Sequence, residues 1–147
     1  VTTNELLLDV EVFPDYGLVE VTDVGGRESP EEGGQEYGVL LSDHSVGVFT
    51  MSVEESLERD QDVRVRVFRG SDQNGLGTLV FDRNLIFSDP PKLGIYQPLA
   101  DDPEDGGGSV SIERTGPVRI QIFVDPPHEA DHVNILIRYD LPPFEMD

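Results

Sequence analysis

Residues 62–70 read DVRVRVFRG, and the alternation is strict. A repeat of two is what a strand produces when one face is dry and the other wet. Val63, Val65 and Val67 point inward on this reading, while Arg64, Arg66 and Phe68 point outward. A helix would scatter the same valines around its circumference. Valine's branched β-carbon also suits the pleated surface of a sheet.

The same period extends along the chain in both directions. Leu6, Leu8, Val10 and Val12 share one face, as do Val19 with Val21 and Tyr37 with Val39 and Leu41. The stretch 45–53 offers two choices: Val46 and Val48 inward, or Phe49, Met51 and Val53. Leu79 and Phe81, then Leu85 and Phe87, alternate around a turn or bulge expected at Arg83–Asn84. Leu93 with Ile95 and Val110 with Ile112 follow. Val118, Ile120, Ile122 and Val124 precede Val133, Ile135, Ile137 and Tyr139. Gly, Pro, Asp and Asn punctuate these runs. One short helix is expected in SVEESLERD, where Ser52 caps the first turn and Glu55 stands three residues on.

Successive short strands without crossover helices imply an all-β fold. The expected architecture is an antiparallel two-sheet β-sandwich of about nine or ten short strands, one domain over 1–147. The last three strands read as a meander, with a tight turn at Thr115–Gly116 and a longer link at 125–131. The stretches 28–36 (ESPEEGGQE) and 100–109 (ADDPEDGGGS) read as loops.

With 147 residues, 37% of them hydrophobic, the chain has enough apolar mass for a core, built mostly from Val, Leu and Ile because Trp is absent and aromatics are 7%. Cys is absent too, which removes disulfides, thiolate nucleophiles and cysteine metal sites and favours a cytoplasmic setting. The opening VTTNELLLDVEVF lacks the basic, apolar and small-residue regions of a signal peptide. Val1 read as a GTG start, and nine Arg against the single Lys92, fit a GC-rich bacterial genome.

The formal net charge is −20. That excess argues against nucleic acid, whose phosphates need clustered Lys and Arg, and against anionic membrane surfaces. Two readings of the acids remain: solubility in a salty or crowded cytosol, or a face that meets a basic partner. Their placement is uneven. Glu31 and Glu32 fall in one loop, Glu54, Glu55, Glu58 and Asp60 around the short helix, and Asp101, Asp102, Glu104 and Asp105 in a third segment. These ten carboxylates are the candidate partner-binding residues. Most arginines instead fall on strands, where cross-strand pairing is the simple expectation. Arg64, Arg66 and Phe68, with Arg119, Gln121 and Phe123, form Arg–aromatic stripes that suit either an interface or a second packed layer.

His128, Glu129 and His132 spell H-E-x-x-H. Zinc peptidase chemistry needs that motif on a helix, so that both imidazoles share a face, and it needs a third ligand. Here Pro126 and Pro127 precede it and a β pattern follows, so the spelling reads as accident. Asp101, Asp102, Glu104 and Asp105 supply the oxygens calcium prefers, without a defined loop geometry. The stretch from Asp72 starts like an EF-hand, but Arg83 stands at its twelfth position. His44 lies between Asp43 and Ser45, yet neighbours in a strand or turn point different ways and make no triad. No nucleophile elbow and no phosphate-binding glycine loop occurs. No catalytic residue and no cofactor is therefore expected.

The run of LLLDVEVF, LLSDHSVGVFTM, VRVRVFRG, GPVRIQIFVDPP and ADHVNILIRYD covers most of the chain. In its order it resembles the bacterial DNA-entry nuclease inhibitors, the competence protein J family. That resemblance implies a small cytoplasmic all-β protein that binds and inhibits a secreted-type nuclease, and it identifies no inhibitory residue. The expected function is thus a non-enzymatic acidic protein-binding module, an inhibitor or immunity-type partner of a basic nuclease. The alternative is a β-sandwich module for calcium, carbohydrate or another small ligand.

Overall fold

The structure, a computed structural model, describes residues 4–27, 35–36 and 39–143. Among them are eleven strands and one α-helix. The strands are β1 (Glu5–Val12), β2 (Leu18–Asp23), β3 (Gln35–Glu36), β4 (Val39–Leu41), β5 (Ser45–Phe49), β6 (Val63–Arg69), β7 (Thr78–Phe87), β8 (Lys92–Tyr96), β9 (Gly108–Ser111), β10 (Gly116–Asp125) and β11 (His132–Ile137). Without the very short β3 and β4 the number is nine. The helix α1 spans Val53–Arg59, and short 3-10 turns occupy Asp15–Gly17 and Val24–Gly26.

Two sheets result. One has five strands in the order β1-β6-β11-β10-β7, the other six in the order β3-β4-β5-β2-β8-β9. A single apolar cluster draws on both: Val63, Val65, Val67, Ile120, Ile122, Ile135 and Ile137 from the first, Val19, Val21, Val46, Val48, Leu93 and Ile95 from the second. All of these are fully buried. The alternation of 62–70 thus holds as read. Val46 and Val48 win the choice in β5, and Phe49 stays partly exposed; Met51 is buried as well because the chain leaves the strand at Thr50.

The pairing is not wholly antiparallel. β11 lies between β10 and β6 and runs parallel to β6, with Val65 opposite Val133 and Val67 opposite Ile135. β9 pairs with β8 in the six-stranded sheet, so the expected terminal meander is interrupted: the chain changes sheet at 112–115 before β10 and β11 form their hairpin. Gly116, with φ of +84°, makes that entry without the steric cost a side chain would add.

Two bulges also shift faces that simple alternation assigns. In β1 the register slips between Leu6 and Leu8. Leu7 and Leu8 then both pack against the core, and Leu6 is 51% exposed. In β7 the slip lies beside Val80, not at Arg83–Asn84: Phe81 pairs with Ile122 and Leu79 with Phe123. Phe81 goes in and Leu79 goes out. One extra residue per bulge exchanges every face beyond it.

The outer face of the five-stranded sheet is largely self-satisfied. Phe123 and Leu136 are buried there under Leu76, with Phe68 beside them. The Asn134 side chain donates to the Leu76 carbonyl at 2.8 Å and pins that cover. Phe68 and Phe123 therefore form a second packed layer. Alongside, Arg119 binds Asp82 through two bonds of 3.0 and 3.1 Å, and Gln121 donates to the same carboxylate at 3.2 Å. Arg138 donates to the Gln121 amide oxygen at 3.0 Å and forks onto Asp140 at 2.9 Å. At the other edge Arg64 forks onto Asp9 at 2.9 and 2.7 Å.

Candidate functional site

The helix α1 begins as its residues dictate. The Ser52 hydroxyl accepts the Glu55 N–H at 3.1 Å, satisfying a first-turn donor that has no partner within the helix. Glu54 and Glu55 sit in that first turn, where carboxylates favour the helix dipole. Asp60 ends the helix in the left-handed conformation. Glu54, Glu58 and Asp60 are exposed, whereas Glu55 is partly covered and accepts from Arg59 at 2.8 Å.

The register fixes which end of the sheet α1 occupies. Leu18 at the start of β2 pairs with Phe49 at the end of β5, and Glu20 pairs with Tyr96 at the end of β8. The chain therefore leaves β5 into α1, and leaves β8 into 97–107, at the same end of the six-stranded sheet. Arg27 anchors the second segment. Its guanidinium stacks 4.0 Å from the Tyr96 ring, binds Glu20 at 2.9 Å, and donates to the carbonyls of Pro98 and Ala100. Asp102 then folds the tip, accepting the Glu104 N–H on its side chain and the Asp105 N–H on its carbonyl, each at 3.0 Å. Gly107 is required for the return, since a β-carbon there would fall 1.9 Å from the Ile95 carbonyl oxygen. Asp101, Asp102, Glu104 and Asp105 are all exposed.

Eight of the ten candidate carboxylates are thus gathered into two groups at one end of a sheet. Glu31 and Glu32 lie outside the described residues, as does Tyr37. Among the described residues no three His or acidic side chains converge as a metal site, those at 101–105 included. His128 and Glu129 stand exposed in the β10–β11 link, Glu129 with φ of +53°, and His132 begins β11 beside Asp131 at 2.8 Å. No helix carries the H-E-x-x-H spacing, so its imidazoles do not share a helical face.

Linear reading missed one constellation. Asp23 is fully buried at the end of β2. It accepts from the Ser88 N–H at 3.0 Å, the Ser88 hydroxyl at 2.8 Å and the Gly25 N–H at 3.3 Å, and the His44 Nδ1 lies 3.3 Å away. The same imidazole nitrogen donates to the Ile86 carbonyl at 2.8 Å. This clasp ties the β4–β5 turn to the link between β7 and β8, and so joins the two sheets. His44 finds its acid in Asp23, not in adjacent Asp43, and only the strand register could reveal that.

Several carboxylates on or next to the strands are held by arginine. The guanidinium of Arg64 beside Asp9 holds that carboxyl below its ordinary value of 3.8. Asp140 is lowered in the same way by Arg138. Burial raises Asp82, but the hydrogen bonds from Arg119 and Gln121 outweigh it and the net shift is downward. Tyr96 and Tyr139 are raised, chiefly by burial. Among the described residues no helix is long and apolar enough to cross a membrane. No family model, curated protein or solved structure matches the chain.

Proposed function

We propose that the protein is a non-enzymatic binding module, a two-sheet β-sandwich whose acidic end meets a basic protein in the cytoplasm. The partner class that best fits is a basic nuclease, with this chain as its inhibitor or immunity-type partner. The observation that carries the reading is the division of charge. Arg59, Arg64, Arg69, Arg119 and Arg138 are engaged by carboxylates of this chain, while Glu54, Glu58, Asp60 and Asp101–Asp105 extend from one end of the six-stranded sheet. Opposite charge across an interface steers encounter and rejects wrong partners, and clustered carboxylates can stand in for the phosphates a nuclease binds.

The test is capture of partners from the native host at low salt, followed by elution with rising salt. A basic nuclease should elute from the wild-type chain and be missing from the E54Q/E58Q/D101N/D102N variant. Equal recovery from both would remove the acidic end from the function. Nuclease assays on the eluted complex then measure inhibition directly.

A further inference from the structure

The acidic end also exposes large apolar side chains. Tyr16 is 74% exposed and Leu57 is 67% exposed. Their elements touch: α1 packs against the turn at 15–17, and the Thr50 N–H donates to the Gly17 carbonyl at 2.9 Å. Phe49, 37% exposed, is paired with Leu18 just before that junction. Exposed apolar residues scattered singly need no explanation. Here the two elements that carry Tyr16 and Leu57 are neighbours, and the same two elements with the cap Asp60 carry Asp15, Glu54 and Glu58.

Tyr16 adds a second oddity. It holds φ of +58°, a left-handed conformation uncommon for a residue with a β-carbon. Glycine or asparagine would take that turn at lower cost. A strained backbone that presents an aromatic ring to water gains nothing for folding.

We propose that Tyr16 and Leu57 are the anchoring contacts of the binding surface, seating in an apolar recess of a basic protein whose Lys and Arg flank that recess. The inference rests on the reading of the acidic end as a protein-binding surface, and adds what fixes the partner in place. Interfaces draw most of their energy from a few apolar or aromatic anchors surrounded by polar contacts that exclude water. The charge decides the occupant. A second copy of this chain would bring its own carboxylates against Glu54, Glu58 and Asp60, so self-association through this surface is opposed, while a cationic surface is attracted.

Two synthetic peptides of equal positive charge and length test this, one alternating Lys and Arg with Leu and Trp, the other with Ser and Gly. Both should bind with salt-sensitive affinity, the apolar one about tenfold more tightly or better. In Y16S/L57S that advantage should vanish while binding of the polar peptide persists. Y16G alone should cut the advantage yet leave the melting temperature unchanged or raised, which separates lost contact from lost fold. L79S, which alters an exposed leucine on β7, should change nothing. If the advantage survives Y16S/L57S, the anchors are elsewhere and this inference fails, though the acidic end stands. If neither peptide shows salt-sensitive binding, the underlying reading fails as well. Concentration-dependent dimerisation abolished by Y16S/L57S would overturn the proposal in favour of a second copy.

Discussion

The outer face of the five-stranded sheet and the α1 end of the six-stranded sheet are both rich in carboxylates, but they use them differently. On the sheet face Asp9 and Asp82 each accept a forked arginine, and Asp140 does so in the turn just past β11. At the α1 end, Glu54, Glu58 and Asp60 are exposed, and large apolar side chains stand beside them. Strands repeat every two residues, so side chains on neighbouring strands meet at fixed spacing and opposite charges can pair. Links and helix surfaces lack that fixed register, although Glu55 still meets Arg59 and Glu113 meets Arg69. Charge on the sheet is largely engaged within the fold, and the carboxylates Glu54, Glu58 and Asp60 at the α1 end are exposed.

The largest effect should come from breaking the sheet face at its apolar part. Phe123→Ala should cost about 3 kcal/mol in denaturant unfolding, because the ring is buried under Leu76 and its loss leaves a cavity. Arg138→Ala should cost about 2 kcal/mol, since it leaves the buried Gln121 amide oxygen without its donor. A loss below about 0.5 kcal/mol in either would mean that this face is not part of the folding unit.

Acid sharpens the comparison. Asp9, Asp82 and Asp140 have folded values below the ordinary 3.8, so the folded state holds their protons less tightly than the unfolded chain does. Their contribution is complete above that value and is lost as pH falls through the depressed values. Thermal melts from pH 5 to pH 2 should show it, and the loss should shrink in D82N/D140N but persist in E54Q/E58Q. Equal shrinkage in both variants would erase the distinction between the two regions.

Smaller effects belong to the α1 end. Ser52→Ala should cost about 1 kcal/mol at most, as it removes one cap from an exposed helix. Glu58→Gln should leave stability within about 0.5 kcal/mol while weakening association with the basic partner. A large drop in melting temperature from Glu58→Gln would assign that carboxylate to the fold.

Much of this was legible residue by residue. Alternation of branched apolar residues in 62–70, 118–124 and 133–137 marks the inward faces, although Gln121, Phe123, Asn134 and Leu136 on the opposite face are buried as well. The cap at Ser52 follows from local chemistry over four residues. The failure of H-E-x-x-H as a metal motif follows from its prolines and the strand beyond it.

Other features are invisible in a linear reading, since they depend on which distant segments become neighbours. The parallel pairing of β11 with β6 and the switch of β9 to the other sheet are choices among pairings with similar apolar patterns. The bulges accompany the outward turn of Leu6 and Leu79 and the packing of Leu7 and Val80 against the core. Asp23 meets His44 and Ser88 only because three chain segments close at one corner between the sheets. Composition and period thus determined that the chain is mostly β, most of the valines and isoleucines of the core, and where the acids fall along the chain. Only tertiary structure decided the strand neighbours, which carboxylates are neutralised and which end of the molecule keeps its charge, because pairing energy is earned between residues that sequence separates.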